Sequence, residues 1–215
     1  MSEVINVADL EQGSPEWYQA RAGSLGASDI SDVMRRIKSG AYGASRANLA
    51  AKLVAERVTG QPYEGFQSQA MAWGKDTQDA ALKAIAFRLD VKPVKVGLVR
   101  HPRIAFAHAS PDALIGDDIV VEIKCPNTAT HLDYLLGDKD IDPDYVKQVQ
   151  WQLACTDRAY AIWASFDPRL PERMRLAHRL LPRDEAVIAA LEDEATSFLN
   201  EVALRVDQLQ ERFPE

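Results

Sequence analysis

The chain has 215 residues, 47% of them hydrophobic, which is enough for one substantial core and argues for a single domain. Its formal net charge of −7 excludes a surface that is basic throughout, so any phosphate-neutralising face has to be local. No apolar run approaches a membrane span, "MSEVINVADLEQG" lacks the marks of a secretory signal, and Cys125 and Cys155 form neither a disulfide framework nor a CxxC zinc pair, which points to a reducing cytosol.

Ser14-Pro15-Glu16-Trp17 reads as a helix start, with Ser as cap, Pro at the first helical position and Glu at the positive end of the dipole. Gly23 and Gly26 interrupt the chain beyond it, and a second helix is expected from about Ser28 through "SDISDVMRRI". "SGAYGAS", residues 39–45, reads as a polar loop. Helices are expected next in "RANLAAKLVAERVTGQP", stopped at Gly60 to Pro62, and in "QAMAWGKDTQDAALKAIAFRL". From Lys92 to Lys124 the period shifts towards two, which predicts consecutive antiparallel strands. A helix is expected at 129–136, another in "DPDYVKQVQWQLACT" capped by Asp142, then strands in "RAYAIWASFD" and "MRLAHRLLP". The tail, about 184–213, is an amphipathic helix with Ile188, Leu191, Ala195, Phe198, Val202, Val206 and Leu209 on one stripe. The fold class is α/β (α+β), a central mixed sheet flanked by helices. Trp17, Trp73, Trp151 and Trp163 read as core anchors.

Charge is uneven along the chain. Arg35, Arg36, Lys38, Arg46 and Lys52 stand in a stretch without an acid; Asp184, Glu185, Glu192, Asp193 and Glu194 stand in one without a base. Tyr42 lies in the basic stretch, flanked by Lys38 and Arg46, and these three are candidates to line a DNA path.

The chemistry concentrates in "SPDALIGDDIVVEIKC", residues 110–125. On a strand, Ile119, Val121 and Ile123 face one way, and Val120, Glu122 and Lys124 the other. The turn Gly116-Asp117-Asp118 folds that strand back so that Asp112 approaches Glu122. Two neighbouring carboxylates repel unless a cation shares them, and Mg²⁺, a hard ion that prefers oxygen, meets that need. The carbonyl of Ile123 offers another oxygen, and Lys124 reaches the same place to orient a water or stabilise an attacked phosphate. The alternative at this point is a solvated strand face.

This stretch resembles the core motif of the PD-(D/E)XK nucleases, and more narrowly the lambda exonuclease and YqaJ branch of phage recombination nucleases. "SPEWYQARAGSLGASDI", "AMAWGKDTQDAA" and "VKQVQWQLA" resemble that branch's other blocks, in the same order, across residues 14–154. The resemblance implies a restriction-endonuclease-like core whose N-terminal helical part, about 14–60, binds a DNA end. It implies Asp112 and Glu122 as metal ligands, Lys124 beside the attacking water, Gln148 at the active site, and Arg21 and Ser28 on the 5′-terminal phosphate. Gln150, two residues from Gln148 on a helix, faces elsewhere. One position departs from the pattern: where the family carries a Glu four residues after its Gly, Gly74 is followed by Gln78, a metal-site candidate that brings no charge.

The implied activity is Mg²⁺-dependent (Mn²⁺ substituting) 5′-to-3′ digestion of one strand of linear duplex DNA, giving 5′-mononucleotides and a 3′ single-stranded tail. A homotrimeric ring, a single-strand annealing protein as partner, and a phage or prophage origin in a bacterial cytoplasm are implied with it. An endonuclease or nickase on the same scaffold, and a non-catalytic DNA-binding subunit, are the rival readings.

Overall fold

The computed structural model describes residues 7–63 and 69–214. Helix α1 (Pro15–Arg21) starts as its sequence requires: the Ser14 hydroxyl accepts from the Trp17 amide and Pro15 takes the first position. Gly23 then turns the chain at φ +68, where a Cβ would meet Cγ of Arg57 at 2.5 Å. Strand β1 (Leu25–Gly26) and a 3-10 turn at Ala27–Asp29 lead into α2 (Ile30–Met34).

This second helix is later and shorter than "SDISDVMRRI" suggests. Ser28 sits inside the 3-10 turn, whose cap is Gly26, and the cap of α2 is Asp29. Arg36 pairs with Tyr42 in an isolated antiparallel bridge, and the amides of Ile37 and Gly43 are given to the carbonyls of Ala41 and Arg35. Those bonds take the backbone out of helical pairing. Helices α3 (Ala44–Thr59), ended by Gly60 at φ +66, and α4 (Gln69–Leu89) come next, as expected.

The expected run of antiparallel strands divides between two sheets. The first has the order β1-β3-β2, with β2 (Val99–Arg100) antiparallel and β1 parallel to β3 (Ala107–Ala109). The second has the order β4-β5-β6-β7, built from β4 (Ala113–Ile115), β5 (Ile119–Lys124), β6 (Tyr160–Phe166) and β7 (Leu176–Pro182). Only Ser110-Pro111-Asp112 separate β3 from β4, so these residues carry the chain from one sheet to the other instead of closing a hairpin. Neighbours β5 and β6 are parallel, which demands a crossover. Helices α5 (Thr128–Leu136) and α6 (Pro143–Thr156) supply it, and α6 starts at the Asp142 cap.

Both faces of the second sheet are covered. Val121 and Ile123 join Ile162, Ala164 and the α4 residues Ala81, Leu82 and Ile85 in one apolar cluster. Val120, Ala161 and Trp163 join Tyr134, Val149 and Leu153 of α5 and α6 in another. The face bearing Glu122 and Lys124 is therefore not a wet strand face; α6 lies on it. A third cluster packs α7 (Glu185–Arg212) through Leu191, Ala195, Phe198 and Val202 against α2, α3 and Trp151. Trp17, Trp151 and Trp163 are buried, whereas Trp73 is half-buried with the Arg169 guanidinium 5.2 Å from its ring. The stripe of α7 outruns the core, leaving Leu209 exposed.

Candidate active site

Asp112 ends the inter-sheet crossover and lies against the open edge of β5. Its Oδ2 accepts from the Ile123 amide at 2.5 Å and its Oδ1 from the Gln78 side-chain amide at 2.5 Å. Gln78 is thus brought from α4 to the acid, where it is a donor to Asp112. Burial, and then the charge of Glu122, push the Asp112 carboxyl up to about 7 in spite of those bonds. Ladder pairing of β4 with β5 ends at Ala113–Val121, and the Ile123 amide points to that same edge. Amide and carbonyl of one strand residue point the same way, so the Ile123 carbonyl also lies on the edge beside Asp112.

Glu122 is 4% exposed and held by three donors. Its Oε1 accepts from Lys124 Nζ at 2.6 Å and from the Gln148 amide at 2.7 Å, and its Oε2 from the Gln152 amide at 2.6 Å. Lys124 also donates to Gln148 Oε1 at 2.9 Å, with its ammonium 4.5 Å from the Tyr145 ring centroid. Burial opposes the charge of Lys124, but attraction to Glu122 and their hydrogen bond outweigh it and raise its pKa. Gln152 is a site residue that sequence reasoning misses. Its signal is the i, i+4 spacing from Gln148 in "QVQWQ", which stacks the two on one helix face. Gln150 faces elsewhere: it donates to the Pro182 carbonyl and accepts from the Asp184 amide, tying β7 to α7.

A cavity of about 180 Å³ opens onto this cluster, lined by Asp112, Glu122, Gln148 and Gln152 together with Arg21, Ser28, His108 and Trp17. Arg21, at the end of α1, lies over Trp17 with its guanidinium carbon 3.9 Å from the ring centroid, and gives Nε to His108 Nε2 at 3.1 Å. Burial lowers the Arg21 pKa, and among the described residues no ion pair joins it to a carboxylate. His108 is 1% exposed, and burial followed by the charges of Arg21, Arg100 and Lys52 brings it down to about 3, so its ring is neutral. Ser28 is exposed on the cavity wall, in the 3-10 turn and not at the start of the second helix, where the sequence suggests it.

The basic stretch corrects the sequence expectation. Arg46 is on a helix, α3, as expected, but it does not present its charge to solvent: it is 6% exposed, in a bidentate pair with Glu201 of α7 at 2.6 and 2.8 Å. The Tyr42 hydroxyl donates to Glu194 at 2.8 Å, and the guanidiniums of Arg36 and Arg46 lie 4.2 and 3.9 Å from its ring centroid. Arg36 itself pairs with Glu194 at 2.7 Å, and Arg35 with Asp144 at 2.9 Å. Arg36 and Arg46 are thus paired with acids of α7, on which α2 and α3 pack. Lys38 and Tyr42 are both exposed, and only Arg46 of the predicted trio is buried.

Among the described residues no group of three or more His, Cys, Asp or Glu converges as a metal cage. The donor set on offer is two carboxylates, Asp112 and Glu122, the carbonyl of Ile123, and the neutral Gln78. Hard oxygen donors and an acid destabilised by a neighbouring acid fit Mg²⁺, which keeps several waters and takes one or two carboxylates.

The sequence matches the YqaJ-like viral recombinase domain over residues 16–159. No curated protein matches it. Among solved structures it is similar to the alkaline exonuclease LHK-Exo from Laribacter hongkongensis, solved also in complex with dAMP. The two share 37% identity at a TM-score of 0.84, with 93% of this chain and 97% of that one covered. A phage related exonuclease from Haemophilus somnus 129PT, 14% identical at a TM-score of 0.62 over 88% of this chain and 96% of that one, shares the fold. The core is thus restriction-endonuclease-like, and the chain, a nuclease acting on DNA, belongs to the YqaJ-like viral recombinase family.

Proposed function

We propose that this nuclease is an Mg²⁺-dependent 5′-to-3′ exonuclease that digests one strand of linear double-stranded DNA to 5′-mononucleotides and leaves a 3′ single-stranded tail. The observation that carries the reading is the shared cavity: Arg21 and Ser28 line the same space as Asp112, Glu122 and Gln148. A guanidinium with no carboxylate ion pair among the described residues is suited to an anion, and an anion site beside a hydrolytic cluster suits an enzyme that measures from a terminal phosphate. An endonuclease has no use for such a terminus.

Asp112, Glu122 and the Ile123 carbonyl would hold the metal, with Gln78 steadying Asp112. When bound, Mg²⁺ supplies charge neutralisation of the phosphodiester and acidifies a water. Lys124, anchored by Glu122 and Gln148, stabilises the phosphate charge that develops as water attacks phosphorus and the bond to the 3′ oxygen breaks. Gln148 holds both Glu122 and Lys124, and so sets their relative position. Arg21 and Ser28 take the 5′ phosphate. The reading extends to linear duplex DNA with a 5′ phosphate as substrate, Mn²⁺ as substitute metal, a homotrimeric ring around the DNA, a single-strand annealing partner for the 3′ tail, and a phage or prophage role in the bacterial cytoplasm. These extensions rest on the family resemblance.

The test is nucleotide release from blunt duplex labelled separately on each strand, with 5′-phosphate or 5′-hydroxyl ends, in Mg²⁺ or EDTA, with Lys124→Ala alongside. Release from the 5′ side that is fastest with phosphate, and absent in EDTA and in the variant, is expected. Release from the 3′ side, or cutting of covalently closed circles, overturns the polarity and end dependence. Light scattering at the 23.8 kDa of one chain overturns the ring.

A further inference from the structure

Arg21 has a second partner that neither the family pattern nor its own charge explains. Trp17 supports the face of the guanidinium, but stacking leaves a planar group free to rotate in its plane. The Nε bond to His108 Nε2 at 3.1 Å removes that freedom. His108 can accept there only if its proton is on Nδ1, and Nδ1 is 2.9 Å from the Ser24 hydroxyl, an acceptor for it. Ser24 is itself 5% exposed. The closeness of this arrangement depends on Gly26, whose Cβ would stand 3.1 Å from His108 Nε2 and 3.4 Å from Arg21 Nη2. Every link joins distant parts of the chain: 84 residues separate Ser24 from His108, and 87 separate Arg21 from it.

We infer that His108 is the residue that sets the specificity of the Arg21 site: as a neutral acceptor fixed by Ser24, it holds the guanidinium by Nε, turns the two η-nitrogens to the cavity, and occupies Nε without itself adding a negative charge, which leaves the fork open to a dianionic terminal phosphate monoester. A carboxylate in place of His108 would hold Arg21 equally well but cancel its charge. An apolar side chain would leave the charge but release the aim. The neutral ring does neither, and its low pKa, about 3, agrees with that role. Charge-assisted bidentate bonds to phosphate need both η-nitrogens in one plane and one direction, so a swung guanidinium gives up the fork geometry. His108 acts through Arg21 and is a positioning residue.

This inference rests on the proposed 5′-phosphate reading, and the experiment separates the two. kcat and KM are measured on linear duplex with 5′-phosphate and with 5′-hydroxyl ends for the wild type, His108→Leu, His108→Gln and Ser24→Ala. The expected result is a fall of about tenfold or more in the phosphate-over-hydroxyl ratio of kcat/KM for His108→Leu, carried mainly by KM, the size of one lost charge-assisted contact. Rates on hydroxyl ends fall by a clearly smaller factor than rates on phosphate ends, because those ends do not use the fork. His108→Gln, whose amide oxygen can accept from Nε while its amide nitrogen donates to Ser24, keeps the preference within about threefold. Ser24→Ala, which frees the tautomer, lowers the ratio by a smaller factor of about three, and it decides the matter if His108→Leu fails to fold. A purely structural role would depress both kinds of end together, and that outcome overturns the inference. A folded His108→Leu protein with the wild-type ratio overturns the inference alone. A wild-type enzyme indifferent to its 5′ end overturns the phosphate reading and the inference with it.

Discussion

Replacing Gln152 by leucine separates stability from function at this site. Gln152 is fully buried and its side-chain amide donates to Oε2 of Glu122 at 2.6 Å, while its side-chain oxygen has no hydrogen-bond partner among the described residues. Two terms oppose each other. Losing a hydrogen bond to a charged group costs roughly 1.5–3 kcal/mol, and removing an unpartnered buried carbonyl returns roughly 1–3 kcal/mol. Leucine is of similar volume, so little cavity term arises. The net change is within about 1 kcal/mol, or about 2–4 °C in Tm for a chain of this size. Oε1 keeps Lys124 and Gln148, but Oε2 loses the donor that orients it, and a partner one step behind a ligating carboxylate is worth about 10–100-fold in metal affinity or activity. The expected Gln152→Leu protein melts near the wild type by differential scanning calorimetry and degrades linear duplex about 10–100-fold more slowly in Mg²⁺. A melting point lower by more than about 8 °C, with activity per folded molecule unchanged, would refute the reasoning and make Gln152 a packing residue.

The same geometry predicts two more outcomes. The folded pKa of Asp112 is raised from 3.8 to about 7, so without metal its contribution to stability is present below about pH 4 and lost as pH rises through about 7. Mg²⁺ binds the ionised form, so its dissociation constant weakens by about tenfold per unit below pH 7, and its increment to Tm is larger at pH 8 than at pH 5.5; calorimetry and thermal melts across that range check it, and equal increments at both pH values contradict it. Arg46→Ala removes a bidentate pair on a buried guanidinium and is expected to lower stability by about 1–3 kcal/mol, with KM for DNA within about twofold of the wild type. An unchanged melt together with a KM raised fivefold or more would instead return Arg46 to the DNA path.

Much of the local structure is legible in the sequence. The Ser14 and Asp142 caps, the Gly60 stop and the span of α4 depend on neighbours within a turn or two, and those residues suffice to specify them. The α2 region is not, because Arg35 and Gly43 exchange a backbone bond that helical periodicity does not reveal. The division of the strands into two sheets is hidden for a related reason: "ASPDAL" reads like a turn between paired strands, and only the pairing partners show that it is a crossover. The site is half legible. Asp112, Glu122 and Lys124 announce themselves by type and spacing, and Gln148 through the family resemblance. His108 does not, because a lone buried histidine looks like any other until Arg21 and Ser24 arrive from the other end of the chain. Arg46 misleads because its charge is cancelled by Glu201, 155 residues away.

The sequence by itself determined which residues are candidates for chemistry here: two acids and a lysine on and beside one strand by type and spacing, and, through the family resemblance, an amide four residues after a glycine and an arginine at a helix end. Caps, periods and side-chain types are short-range properties, and they survive in a string of letters. What only the tertiary structure decided is which charges are free to act. Packing α2 and α3 onto α7 commits the basic stretch to internal ion pairs. Laying α6 over β5 buries Glu122 and adds Gln148 and Gln152 to the Lys124 that already holds it, and joining α1 to β3 bonds Arg21 to a neutral histidine, with no carboxylate ion pair among the described residues. Charge is compensated through space at a few ångströms, between residues that the chain order keeps far apart.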